Sequence, residues 1–307
     1  MKPPPFTYHA PSTTGEALDV LARAGPDGKV LAGGQSLIPI MNMRLATPAH
    51  LVDINGVSEL DYVQVEGGGV RVGAGARHAD VERDEDAQLA LPLLRQALGL
   101  VAHPVIRNRG TVVGSLAHAD PSGEMTAVLA LVGGSVELAS SRGSRTVTAG
   151  DFFVGPMEPA LADGELATSA YFPRLEGRTG TAFREVARRH GDYALCGVAA
   201  AVTLDDNLCI SRARAAYLGV SPVPLVLELT SPLVGEGPAS AEWDAAGRLA
   251  SEQAEPEGDI HASEAYRRQL AHVLTVRALA GAADAARTAP TTPATPTTLT
   301  PSKGTTS

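Results

Sequence analysis

Apolar positions along this chain recur in two rhythms. Thr13 and Glu16 read as a capping box, and the helix behind them puts Ala17, Leu18, Leu21 and Ala22 on one face. Residues 29–32 form a short apolar run that enters a glycine-containing stretch, residues 51–54 form a second, and residues 69–74 alternate like a third strand. From Pro92 the spacing of Leu93, Leu94, Ala97, Leu98 and Val101 is helical. Residues 125–132 predict another apolar helix, with Ser122 as its cap. Strands around 135–138 and 170–172 complete this half.

The polar stretch 174–180 predicts a boundary. Beyond it, strands are expected at 197–204 and 210–218, joined by a hairpin turn at Asp205-Asp206-Asn207. Two helices follow, at 239–253 and 263–280, the second with Tyr266, Leu270, Val273, Leu274 and Arg277 at helical spacing. The threonine- and proline-rich segment 288–307 lacks the apolar surface to offset its ordering entropy and reads as disordered. The expected division is therefore 1–176, 177–287 and a tail at 288–307, without internal repeats.

Composition narrows the function. At 307 residues and 44% hydrophobic content, two modest domains can each bury a core. A formal charge of −9 argues against a nucleic-acid or anionic-membrane surface. No apolar run reaches membrane-spanning length, and Met1-Lys2-Pro3-Pro4-Pro5 is not a hydrophobic signal segment. A cytoplasmic protein is expected. Cys196 and Cys209 are the two cysteines, too few for an iron–sulfur cluster, and they read as reduced thiols.

Candidate chemistry concentrates in two glycine-containing stretches. One is Ala32-Gly33-Gly34-Gln35-Ser36, leading into Leu37-Ile38-Pro39. The other is Ile106-Arg107-Asn108-Arg109-Gly110-Thr111-Val112-Val113-Gly114-Ser115. A backbone that touches a diphosphate needs small residues and free N–H groups, so the pair suggests a large anionic cofactor held twice. Gly73-Ala74-Gly75 also follows a strand. A dinucleotide fingerprint requires a third glycine where His78 stands, so turn glycines are the better reading. No Walker lysine follows any glycine cluster. His103, His118 and Asp120 match no metal-ligand spacing, the acidic run 80–86 reads as a solvated face, and Arg188-Arg189 reads as structural, with positive charge near a flavin or its phosphate as the alternative.

These stretches carry a resemblance over nearly the whole chain. Residues 32–39, 106–121, 151–153 with 163–166, and Arg188-Arg189-His190-Gly191-Asp192-Tyr193-Ala194 are similar to the FAD-binding middle subunit of molybdenum hydroxylases, the group of carbon monoxide and xanthine dehydrogenases. Tyr266-Arg267-Arg268 and Arg277-Ala278-Leu279 look like that family's closing helix.

The resemblance implies an α/β (α+β) fold. A two-subdomain FAD-binding unit of the vanillyl-alcohol oxidase type would span 1–176, and a small domain of antiparallel sheet plus helices would span 177–287. It implies that Ala32, Gly33, Gly34, Gln35 and Ser36, with Thr111, Val112, Val113, Gly114 and Ser115, hold the FAD diphosphate. Asp120 would lie near the adenosine end, Tyr193 beside the isoalloxazine, and Arg184 close to the flavin. The family has two adjacent glycines where this chain has Val113-Gly114. Valine resists positive φ, so its side chain is expected to face away from the phosphates.

The resemblance further implies partners. A large subunit would carry the molybdopterin cofactor and a small one two [2Fe–2S] clusters, in a heterotrimer or a dimer of heterotrimers. Electrons would pass through this chain's FAD to an outside acceptor, with no catalytic or metal-ligating residue of its own. Family substrates range from carbon monoxide to purines, nicotine-derived heterocycles and aromatic acids, a choice made on the large subunit. The alternatives are a stand-alone FAD-dependent oxidase or reductase of the same fold, and a nucleotide-holding module without redox function.

Overall fold

The computed structural model describes residues 2–292. The chain opens with a three-stranded parallel sheet in the order Thr7–His9, His50–Asp53, Gly28–Leu31. Thr13 caps the helix Thr14–Ala24 by accepting from the Glu16 amide at 3.2 Å. The Glu16 carboxylate takes the amide and hydroxyl of Ser12, and the Thr13 amide also acts on it, holding its pKa below the usual carboxylate value. Ala17 and Leu21 are buried and Ala22 is exposed, so the inner face is narrower than expected.

A five-stranded antiparallel sheet follows, ordered Val63–Glu66, Gly69–Gly73, Leu166–Pro173, Ser135–Ser140, Gly143–Thr148. The helices Pro92–Leu98 and Glu124–Val132 pack with it, burying Leu93, Leu94, Leu98, Met125 and Leu129. Ser122 is not the cap of the second of these helices. Gly123 occupies that position, and the Ser122 amide donates to Asp120 Oδ1 at 2.8 Å.

The last unit is a four-stranded antiparallel sheet, Arg178–Ala187, Ala194–Leu204, Ile210–Leu218 and Leu225–Glu228, covered by the helices Trp243–Gln253 and Glu264–Thr288. The first of these strands begins inside the polar stretch read as a boundary. The 205–207 turn forms as expected, with Asp205 Oδ1 accepting from the amides of Asn207 and Cys209.

This sheet is buried on both faces, and strand alternation decides which residue faces which layer. Val198, Ala200, Val202, Ala213 and Tyr217 meet the terminal helices. Phe183, Ala199, Ala201, Ala216 and Leu218 join the core of the first unit. The architecture is thus a two-domain α+β fold whose second sheet closes over the helices of the first.

The terminal helix runs to Thr288, beyond the expected end at 280, because its alanines bed on the sheet. Gly281 does not interrupt it. A Cβ there would lie 3.5 Å from that of Ala182, an ordinary contact. The buried stripe is offset from the expected one. Arg267 points inward and donates to the carbonyls of Leu195 and Gly219 and to Asp259, while Tyr266 is exposed.

The segment expected to be disordered begins at Thr288, which is still helical, and residues 289–291 beyond it carry no regular structure. Thr292 bridges Gly177 through two backbone bonds, and the rest of the expected disordered segment, 293–307, lies outside the described residues. No helix among the described residues is long and apolar enough to cross a membrane.

Candidate functional site

The strand Gly28–Leu31 ends at Leu31, and the chain must turn at once into the helix Leu37–Asn42. Gly34, at φ 71°, makes that turn. Among the described residues, the amides of Gly33, Gly34, Gln35 and Ser36 donate to no protein acceptor. Four consecutive free donors are what an anion requires of a backbone.

The second stretch is not a loop. The helix Val112–His118 starts inside it, with Thr111 as N-cap. Its amides are largely used within the protein. Val112 donates to Ala76 O, Gly114 to Thr111 Oγ1 at 3.1 Å and Ser115 to Thr111 O, which leaves those of Thr111 and Val113. Val112 and Val113 are buried in the core, and φ of Val113 is not positive. The branched side chain thus adds no bulk to the outer surface of this segment. The Ser115 hydroxyl also faces inward, 2.9 Å from His78 Nε2.

The two stretches meet. A Cβ on Gly33 would lie 2.3 Å from the Arg109 carbonyl oxygen and 2.6 Å from Gly110 Cα, so only glycine permits this approach. Two residues that sequence reasoning passed over tie the contact together. Arg77 donates to Arg109 O at 2.7 Å and to Asn55 Oδ1 at 2.6 Å. Asn55 in turn donates to Ala32 O at 2.9 Å and to Asp53. The isolated bridge Arg77↔Thr111 aligns the same region. Only the Asn55 position, directly after the strand 50–53, carried a sequence signal, as a polar residue closing an apolar run.

A cavity of about 360 Å³ opens at this contact, lined by Gly33, Gly34, Gln35, Asn55 and Arg109 among others. Among the described residues neither Arg77 nor Arg109 forms an ion pair. Arg109 and the free amides of Gly33, Gly34 and Gln35 therefore line the cavity beside the Asp53 carboxylate, while Arg77 holds the Arg109 carbonyl and Asn55. That donor set fits the diphosphate of FAD.

Asp120, Tyr193 and Arg184 divide. Gly191, at φ 76°, lets the 188–193 loop rest on the His103 ring, where a Cβ would fall 2.6 Å from Cε1. Tyr193 is thereby brought into the field of the first unit. Its hydroxyl pKa is raised by burial and by the charges of Asp120, Glu124 and Asp192. Asp120 and Tyr193, assigned by resemblance to opposite ends of a cofactor, thus share one neighbourhood.

Arg184 is on the other face of its strand. It donates to the Phe183 carbonyl and lies beside Gly281 of the terminal helix, whereas Glu185 follows Phe183 toward the first unit. Arg188 is held by Asp192 and His261, a structural tie. No group of three or more metal-ligating side chains occurs among the described residues, and Gly73–Gly75 serve a tight turn against Leu60.

Burial pushes the Glu124 carboxyl up to about 7, with Asp120 adding to the shift, and pushes Glu185 up to about 8, with Glu124 adding. Both keep their proton in the fold at a pH where the unfolded chain, near 4.5, has lost it. Their stabilisation is complete below 4.5 and disappears as pH climbs through about 7 and about 8. His78, lowered from 6.5 to about 4, acts oppositely and only below 6.5. We expect the unfolding temperature to fall between 6.5 and about 8, where only the carboxyls contribute. Glu185→Gln should flatten that fall in a series of thermal melts. An unchanged slope in the variant would refute the assignment.

The chain is similar to known proteins over most of its length. Residues 4–175 match the family described as FAD binding domain in molybdopterin dehydrogenase, and residues 181–282 match the CO dehydrogenase flavoprotein C-terminal domain. The chain is 38% identical over 283 residues to the 6-hydroxypseudooxynicotine dehydrogenase complex subunit alpha of Paenarthrobacter nicotinovorans, covering 92% of this chain and 96% of that protein. It is 36% identical to the carbon monoxide dehydrogenase medium chain of Hydrogenophaga pseudoflava, covering 92% and 98%. Among solved structures, quinoline 2-oxidoreductase from Pseudomonas putida 86 superposes with a TM-score of 0.87 at 37% identity, covering 93% of this chain and 99% of that one.

Proposed function

Because the chain belongs to the FAD-binding medium subunits of the molybdenum hydroxylase and carbon monoxide dehydrogenase family, we propose that it relays electrons from [2Fe–2S] clusters of a small partner subunit to an external acceptor. It is the flavoprotein, oxidoreductase subunit of a complex whose relatives work as several subunits. A large molybdopterin-bearing subunit completes the proposed assembly, as a heterotrimer or a pair of heterotrimers. The vanillyl-alcohol oxidase type of FAD fold and a cytoplasmic setting, consistent with two free thiols, belong to the same proposal.

The observation that carries this reading is the contact of Gly33 with Arg109–Gly110 beside four free amides. FAD, when bound, supplies the capacity to take up and give up electrons. The protein's own residues do the rest. Gly33 to Ser36 would donate to the diphosphate, and Arg109 would balance part of its charge, with Arg77 holding the Arg109 carbonyl in place. Tyr193, 66% exposed, and Asp120 share one neighbourhood where the two domains meet.

The test is flavin content. The purified chain should be yellow, release about one FAD per chain on denaturation, and retain molybdenum- and iron-containing partners when isolated from its native host. A colourless protein that takes up no FAD would overturn the reading.

A further inference from the structure

His78 does not line the cavity, yet it lies beneath the site. It opens the helix His78–Arg83 and is 3% exposed. Its backbone amide donates to Gly110 O at 2.9 Å. Its ring Nε2 is 2.9 Å from Ser115 Oγ. Its Nδ1 is buried without a hydrogen-bond partner, and a Cβ on Gly110 would come within 2.8 Å of that atom. The ring therefore fills the space under Gly110 and touches both ends of the segment against which Gly33 packs.

We propose that His78 is a positioning residue for the cofactor: its uncharged ring keeps Gly110–Ser115 in register with Gly33, and charging that ring loosens the segment and releases the dinucleotide. This rests on the FAD reading above.

The surroundings explain why the ring is neutral. Arg107, from the helix Pro104–Arg107, is the cation that acts on it. Arg107 is fixed by Glu82 at 2.8 Å and by the carbonyls of Val101 and Ala102, so it cannot move aside. Half-buried Arg77, just before His78, is turned to the Arg109 carbonyl and Asn55, Arg109 is exposed, and the other charged groups nearby are outward. Asp80 and Arg83 on the same helix are exposed, as are Glu85 and Asp86 on Glu85–Ala90, and Arg95 on Pro92–Leu98 donates to Gln88. Burial and Arg107 outweigh the Thr111 backbone and hold the ring at about 4. A proton arriving at Nδ1 puts a second positive charge beside Arg107 in a space closed by Gly110. The ring must then shift, and Ser115 shifts with it.

The test is the FAD dissociation constant of the full chain, read by flavin fluorescence from pH 6.5 down to about 4, with near-ultraviolet circular dichroism reporting the fold at each pH. Wild-type protein should weaken by roughly tenfold or more, about 1.4 kcal/mol, before the dichroism changes. His78→Gln keeps a polar group within reach of Ser115 but does not titrate, and should give a flat profile. Ser115→Ala cuts the link, so it should bind more weakly at neutral pH and also lose most of the acid dependence. It carries the test if His78→Gln does not fold. Identical acid release in wild type and both variants would overturn the proposal while leaving FAD binding intact. A wild type that binds no FAD at any pH would overturn the functional reading as well.

Discussion

Gly33→Ala should yield a folded protein that has lost its flavin. The added methyl would sit 2.3 Å from the Arg109 carbonyl oxygen, which is backbone and cannot rotate away. Overpacking of this kind costs about 1–3 kcal/mol. The strain falls at the border of the proposed site, where the two stretches separate most easily. FAD affinity should therefore drop by roughly tenfold to a hundredfold, at about 1.4 kcal/mol per tenfold, with a loss of only a few degrees in unfolding temperature, as expected for a local repair of the clash. Gly67→Ala is the control, since nothing lies within 4 Å of a Cβ there. Flavin absorbance per chain after gel filtration reads the result. A Gly33→Ala protein as yellow as the Gly67→Ala control would contradict the proposed seat of the diphosphate.

Gly180→Ala should produce the converse phenotype, a large loss of stability. Gly180 lies on the strand Arg178–Ala187, and a Cβ there would fall 2.1 Å from the Ala286 amide nitrogen and 2.2 Å from Ala282 O. The terminal helix would have to lift from the sheet over its last turns, uncovering Ala282, Ala283 and Ala286, all now fully buried. A cost of about 3 kcal/mol corresponds to a fall on the order of 5–10 °C in unfolding temperature. At low temperature the first unit, which supplies both glycine stretches, should still take up FAD. Thermal melts and flavin uptake on the same sample separate the two effects. An unfolding temperature within a degree or so of wild type would show that the helix does not bear on Gly180 as described.

Elements with strong apolar patterns were legible in the sequence. The strands at 28–31, 50–53 and 69–73, the helix from Pro92 and the hairpin at 205–207 all follow from spacing and turn chemistry. The strand Arg178–Ala187 was not legible. Its first three residues fell in the stretch read as a polar link and the rest carried no assignment, because the partner that covers them is a helix about a hundred positions later. The second glycine stretch was legible as a site but not as a shape. The Thr111 cap and the Val112-Val113 pair signal a helix start, and the two glycines masked it. Arg184 and Glu185 show the same limit at single-residue scale, since a strand's alternation says that neighbours face opposite ways but not which of them faces inward.

What the chain determined by itself is the local chemistry: small residues and free donors at 32–36, a capped turn at 111–115, and two apolar units joined at a polar link. Those properties reside in a few consecutive residues, so order along the chain is enough to specify them. Tertiary structure alone decided that Gly33 meets Arg109, that Arg77 and Asn55 clamp the two stretches, and that His78 lies beneath them. These contacts join residues tens of positions apart, and which of them form depends on how whole sheets and helices bury their apolar faces against one another.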